Sequence, residues 1–206
     1  MTIVRPCKIN APSWRTIDPR VFRTGDLVPV LLKNGEMVQF RVMHDSFDKV
    51  YFVLEDCLRD TYFMNPTSTN KGGYFESTMR NYLNTIILRW LPDELQDRIT
   101  PTRIVQIING KQVEHWDKLF LLSATQVFGI DSVWSEMEPA DTQLDWFKKE
   151  RNRIKERDEY GTVSWWLRSA HNASNFRYVS HSGTASYYNA TNTYGVAFGF
   201  MIKDLV

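Results

Sequence analysis

The stretch from residue 27 to residue 54 constrains the fold most. Leu27-Val-Pro-Val-Leu-Leu32 is a short apolar run that ends at Lys33-Asn34-Gly35. Asn-Gly supplies the left-handed backbone that tight hairpins need. Met37 to Val42 then alternates, with Val38, Phe40 and Val42 on one face and Met37, Gln39 and Arg41 on the other. A two-residue period belongs to a strand with one face on a core. Asp45-Ser-Phe-Asp48 makes a second turn and Val50-Tyr-Phe-Val-Leu54 a third strand. The domain therefore opens as an antiparallel meander.

Helical signals follow. Residues 60–75 are polar and turn-rich and include Gly72-Gly73. From Glu76 to Leu88, Met79, Leu83, Ile86 and Ile87 recur at helical spacing. Pro92 opens a second helix over Asp93 to Ile99, its acids placed where the helix dipole favours them. Arg103 to Ile108 and Lys118 to Leu122 read as strands around an Asn109-Gly110 turn. Asp141 to Arg157 is the longest helix candidate, with Leu144, Phe147 and Ile154 on one stripe and Asp145 four residues before Lys149. Its basic run reads as a solvated face because Glu150 and Glu156 interrupt it. Thr162 to Arg168, Asn175 to Ser180, Thr184 to Tyr188 and Gly195 to Ile202 are further strands. The class expected is α+β: antiparallel sheets, two or three helices, and a long loop region before the last strand.

Composition excludes several functions. The chain has 206 residues, enough for one domain with an arm. Twenty-five Lys+Arg stand against 24 Asp+Glu, a net charge of +1. That balance argues against nucleic acid as a partner, and against a polybasic membrane-surface protein. No apolar run approaches the roughly 18 residues of a membrane span, so no membrane insertion is expected. Aromatic residues make up 14% of the chain, which excludes a disordered protein. They could fill a core or coat a binding surface.

The first residues, Met1 to Asn10, lack the apolar stretch of a secretory signal, which predicts a protein made for the cytoplasm or exported by another route. Cys7 and Cys57 stand alone, without metal-ligand spacing, and read as free thiols or as one disulfide. Residues 1–26 look like an arm. Pro6, Pro12 and Pro19 punctuate it, and Ile3, Ile9, Trp14, Ile17 and Phe22 follow no period. Such a segment could pack on its own domain or on a neighbouring subunit; docking on a partner is the expectation adopted. Residues 27–206 would then form the domain.

Several segments carry a resemblance. Trp165-Trp166-Leu167-Arg168-Ser169, then Tyr178-Val179 with Ser182-Gly183, then Gly195-Val196, resemble an uncharacterised family of bacterial and phage proteins. That family's hallmark runs W-W-L-R-S, a glycine-turned strand pair, then G-V-R-P-A. Upstream, Ser77-Thr-Met-Arg-Asn-Tyr-Leu-Asn84 is similar to its S-x-L-R-x-W-L-N helix, and Phe120-Leu-Leu-Ser123 to its F-L-L-S strand. Here Ala197 and Phe198 replace the family's arginine and proline. The resemblance implies a C-type-lectin-like fold, in which an early strand pairs with the last one and long loops rise from a small second sheet. It also implies a setting on phage particles or cell surfaces. Fold alone names no function.

The segment Ser169 to Tyr194 is almost free of lysine and acid and rich in Tyr, Ser and Asn, the residues that paratopes use. The candidate ligand-binding residues are Trp166, Arg168, His171, Asn172, Asn175, Arg177, His181, Tyr187, Tyr188, Asn189, Asn192 and Tyr194. The bland alternative is a polar loop region with core-facing tyrosines. Trp165 and Trp166 point to opposite faces of one strand, so one ring could be core and the other could stack on a ligand. Glu138-Pro139-Ala140-Asp141 echoes a calcium-binding motif without its W-N-D partner, so no metal is expected. Asn172-Ala-Ser174 and Asn189-Ala-Thr191 fit the glycosylation sequon, which has meaning only in a secreted chain. Neither a hydrolase, Walker, dinucleotide nor zinc-protease motif occurs. The expectation is a non-enzymatic protein without cofactor. It would be a virion component: a capsid decoration, fibre or tail receptor-binding part. Residues 1–26 would join it to other virion proteins, its loops would face a host glycan or protein, and it would be oligomeric. A free-standing bacterial glycan- or peptide-binding domain, cytoplasmic or on the cell surface, is the alternative.

Overall fold

The computed structural model describes residues 13–46, 49–131 and 135–203. The chain opens with β1 (Leu27–Leu31), β2 (Met37–Ser46), β3 (Lys49–Leu54) and β4 (Tyr62–Phe63). Helices α1 (Thr78–Tyr82) and α2 (Leu88–Trp90) are joined by a π-helical turn, Leu83–Ile87, and α3 (Asp93–Arg98) follows. Then come β5 (Ile99–Thr100), β6 (Thr102–Ile108), β7 (Lys111–Asp117), β8 (Phe120–Leu121) and α4 (Ala124–Phe128). The last part holds β9 (Lys155–Arg157), β10 (Gly161–Val163), β11 (Trp165–Ala170) and β12 (Asn175–Val179). It ends with β13 (Ala185–Asn189), β14 (Thr193–Tyr194) and β15 (Phe198–Lys203).

The meander forms as the alternation predicts, β1 on β2 and β2 on β3, all antiparallel. Strand β2 runs past Val42 because its register slips between Val42 and His44. An extra residue there breaks the alternation without ending the strand. The last strand completes the main sheet in the order β1-β2-β3-β15-β5, and β8 also pairs with β15. Central strands are covered on both faces, and Phe198, Gly199, Phe200 and Ile202 are accordingly all buried. Phe40, Phe52, Phe198 and Phe200 meet there, with ring centroids 4.9 to 5.6 Å apart.

Three expectations are corrected. Asp141 to Arg157 forms no long helix. Asp145–Lys148 and Glu150–Arg153 are short 3-10 turns, followed by β9. Side chains take the carbonyls a helix would use: Asn152 Nδ2 donates to Trp146 O at 2.7 Å and Arg153 Nε to Phe147 O at 3.0 Å. Lys155 is drawn inside, where Nζ donates to Leu54 O and Glu55 O. Asp145 pairs with Lys148 in place of Lys149.

The Asn109-Gly110 turn joins β6 to β7, in register from Thr102↔Asp117 to Ile108↔Lys111. The second strand lies earlier than the sequence suggested, because Lys111 to Trp116 is mostly polar and exposed, with Val113 only half-buried against the core. Phe120 and Leu121 instead pair with β15.

Residues 13–26 pack on their own chain. Trp14 is 4% exposed and Phe22 fully buried, both against Phe52 at centroid distances of 6.0 and 5.1 Å. Arg98 holds the segment by donating from Nη1 to Trp14 O and Ile17 O. Isolated rings on an extended segment need only one socket each, and the main sheet supplies them. The rest of the expected arm, with Ile3, Cys7 and Ile9, lies outside the described residues. Cys57 is a buried free thiol, and burial pushes its pKa up to about 12. Among the described residues no helix is long and apolar enough to cross a membrane.

Candidate functional site

The sheet β11-β12-β13 decides how the candidate residues are arranged. In antiparallel pairing, directly opposed residues share a face. Trp166 opposes Tyr178, Phe176 opposes Tyr188, and Tyr178 opposes Ser186, so these line one face. Arg177 opposes Tyr187 and Trp165 opposes Val179, so these line the other. The stretch that reads as one surface is therefore two.

The first face is aromatic. Tyr178 and Tyr194 lie 4.4 Å apart between centroids, and Tyr188 stands 6.3 Å from Tyr194. Strand β14 pairs with β4, which puts Tyr62 opposite Tyr194. Tyr62 continues the row to Tyr82 at 5.0 Å. Trp166 is the floor: its ring is 4.7 Å from Tyr194, and Nε1 donates to Tyr62 O at 2.8 Å. Tyr188 is 52% exposed, while Tyr62, Tyr178 and Tyr194 are half-buried. Burial first, then hydrogen bonding to neighbouring phenols, raises the pKa of Tyr62 and Tyr194 well above the ordinary tyrosine range. This face offers neutral rings and neutral hydroxyls.

The second face opens on a cleft of about 600 Å³ between the 69–73 loop, the 107–109 turn and residues 170–173. His171 stacks on Tyr187 at 3.7 Å. Arg177 Nη2 lies 3.1 Å from His171 Nδ1. A guanidinium can only donate, so Nδ1 accepts and the imidazole proton sits on Nε2. Burial, reinforced by the Arg177 charge, lowers the pKa of His171, so the ring is neutral at pH 7. Asn70 Nδ2 donates to Asn175 O at 2.9 Å and to Asn172 O, which ties the 69–73 loop to this end of the sheet.

Several candidate residues serve the backbone. Asn172 Oδ1 accepts from the amides of Ser174 and Asn175, at 3.1 and 3.0 Å. Asn189 Oδ1 accepts from Thr191 N and Oγ1, while its Nδ2 donates to Ser68 Oγ. The sequon-like spacings are thus side-chain turns, which Asn forms readily. Asn175 lies in β12 and Asn192 just before β14, both partly exposed. His181 sits in the turn between β12 and β13, at the end of the hairpin opposite His171, and joins neither face's cluster.

Two candidates are corrected outright. Trp165 and Trp166 are both fully buried, so neither ring has a free face for a ligand. Arg168 is 2% exposed. Its Nη1 donates to Leu121 O at 2.7 Å and Gln126 Oε1 at 2.8 Å, and its Nη2 to Asp141 Oδ2. Ser169 Oγ donates to Glu138 Oε1 at 2.6 Å. The Glu138–Asp141 segment thus turns both carboxylates inward, onto Arg168 and Ser169. Burial pushes the Glu138 carboxyl up to about 7. Among the described residues no group of three or more metal-ligating side chains occurs.

Sequence reasoning missed Tyr62 and the whole 69–73 wall, including Asn70 and Lys71. Gly72-Gly73 marked a turn, but nothing in the spacing pairs it with a segment about 100 residues later.

The molecule is a mixed α+β domain with mostly antiparallel sheets and few helices. It belongs to the family described as a domain of unknown function, DUF6273, whose model matches residues 48–204. The fold reaches beyond that span: β1 and β2 precede it and are integral to the main sheet. No curated protein and no solved structure matches the chain.

Proposed function

We propose that the domain is a non-catalytic recognition module that binds an uncharged sugar or peptide on the Tyr178–Tyr188–Tyr194 face. The observation that carries this reading is the exposed Tyr188 ring at the head of a row of neutral tyrosines held on a rigid tryptophan floor. Rings give large contact area at little entropic cost, and phenol hydroxyls add direction. The module is lectin-like in this reading. Pairing of β3 with β15, helices between them and a small sheet before the last strand support that. Its proposed setting is the surface of a phage particle, which the W-W-L-R-S resemblance supports.

A glycan array and a peptide array with the purified chain test the reading. Binding that is independent of calcium and lost in Tyr188→Ala supports it. Binding unchanged in Tyr188→Ala, or no ligand on either array, overturns it. Proteomics of purified particles tests the setting, and absence of the chain from every particle fraction rejects it.

A further inference from the structure

A pocket of about 350 Å³ lies between residues 36–39 at the entry to β2, residues 54–57 and the β9–β10 hairpin. Five carboxylates line it, Glu36, Asp56, Glu156, Asp158 and Glu159, against one cation, Arg157. Among the described residues none of the five makes an ion pair. Asp56, Glu156, Asp158 and Glu159 are exposed, and together they attract a cation. Arg157 weakens that field, but its guanidinium lies over the Tyr160 ring, 3.8 Å from the centroid. Lys155, the other cation close by, is held on Leu54 O and Glu55 O.

Glu36 differs from the other four carboxylates. It is only 6% exposed. Its Oε1 accepts from Arg59 N at 2.8 Å. Its Oε2 has no hydrogen-bond partner among the described residues, yet it stays accessible at the pocket wall. A carboxylate with most of its water removed and one oxygen idle gains strongly from a cationic donor.

The kind of cation follows from three features. Among the described residues no three His, Cys, Asp or Glu side chains are grouped to hold a metal ion, so a bare ion does not fit. Val38 and Leu54 are buried in the lining and Met37 is 60% exposed beside them, which gives methylene groups an apolar wall. Glu36 offers one oxygen only. That suits an ammonium, a compact point charge, better than a guanidinium, whose fork is matched by two oxygens.

We propose that this pocket binds an alkylammonium group, from a lysine side chain or a polyamine, with Glu36 Oε2 taking the ammonium and Val38 and Leu54 the methylenes. The proposal goes beyond the aromatic-face reading and does not depend on it, because the pocket shares no residue with the Tyr178–Tyr188–Tyr194 face.

Amide NMR titration of the full chain with n-pentylammonium tests it, with n-pentanol, methylammonium and n-butylguanidinium as controls. Pentylammonium should bind at least several-fold tighter than each control, with shifts at Glu36, Gln39, Cys57 and Glu156. Spermidine and N-acetyl-lysine methylamide distinguish a free polyamine from a lysine side chain; binding of either supports the proposal, and the tighter one names the source. Raising salt from about 50 mM to about 0.5 M should weaken binding several-fold. Glu36→Gln keeps an acceptor for Arg59 N and should lose about tenfold in affinity. Glu156→Gln, at an exposed position, should lose a few-fold while its melting curve is unchanged. Tyr188→Ala should leave this binding intact, so that failure of one site is not mistaken for failure of the other. Pentanol or butylguanidinium binding as tightly as pentylammonium overturns the proposal. So does an unchanged affinity in Glu36→Gln, or in Glu156→Gln should the first variant not fold. An absence of amide shifts at millimolar pentylammonium overturns it too.

Discussion

Arg168 Nη2 donates to Asp141 Oδ2 across a sequence separation of 27, and this contact fastens β11 to the segment that follows α4. The two side chains are only 2% and 12% exposed. Removing one partner of such a pair leaves the other charged and poorly solvated. Arg168→Met and Asp141→Asn are each expected to cost about 3–5 kcal/mol. The double variant should cost clearly less than their sum. Urea unfolding of the four proteins checks this, and additive costs would show that the pair is not coupled.

Glu138 makes stability depend on pH in a defined direction. Its pKa rises from an ordinary 4.5 to about 7 in the folded chain, with burial as the largest cause. Between those values the folded state keeps a proton that the unfolded state has lost. The contribution is therefore fully present at the acid end and declines as pH rises through 7. Glu138→Gln should flatten this part of the profile. Denaturation midpoints measured across the window, for both proteins, give the comparison. Parallel profiles would count against a raised carboxyl.

Phe22 tests whether the segment before β1 belongs to the domain. It is fully buried against Phe52 and Trp14. Phe22→Ala should destabilise the isolated chain by about 3–5 kcal/mol. A segment that docked only on a partner subunit would leave the monomer's melting temperature unmoved.

Gly195 is required by a close approach. A Cβ at this position would stand 2.6 Å from Cys57 Sγ, with Ser164 O at 3.2 Å. Its backbone conformation is open to any residue, so the objection is space alone. Gly195→Ala should cost about 1–3 kcal/mol by overpacking. Adding Cys57→Ala should recover part of that loss. Thermal melts of the single and double variants check the coupling, which vanishes if the site simply expands.

The motifs behind the family resemblance build the scaffold. Ser77 caps α1, Arg80 pairs with the buried Asp117, and Asn84 binds the backbone of Lys118 and Leu119. Ser123 forms a capping box at α4. Trp165 Nε1 donates to Arg153 O at 2.9 Å, and Ala197 and Phe198 are buried. Trp165 to Ser169 is therefore a structural strand with Trp166 and Arg168 buried, and spacing alone cannot tell an inward polar group from an outward one.

The sequence by itself determined the antiparallel meander, the helix beginning near Ser77, the α+β class and the aromatic-polar character of residues 169–194. These are local properties: strand alternation, helical spacing, turn chemistry and composition act over a few residues. Tertiary structure alone decided that Asp141 to Arg157 is not a helix, since distant carbonyls and rings claim its side chains. It decided that Phe22 and Trp14 close the main sheet. It also split the candidate surface in two. Alternation along β13 sends Tyr187 and Tyr188 to opposite faces, but only the packing of β4 and the 69–73 loop makes one face an aromatic platform and the other a basic cleft.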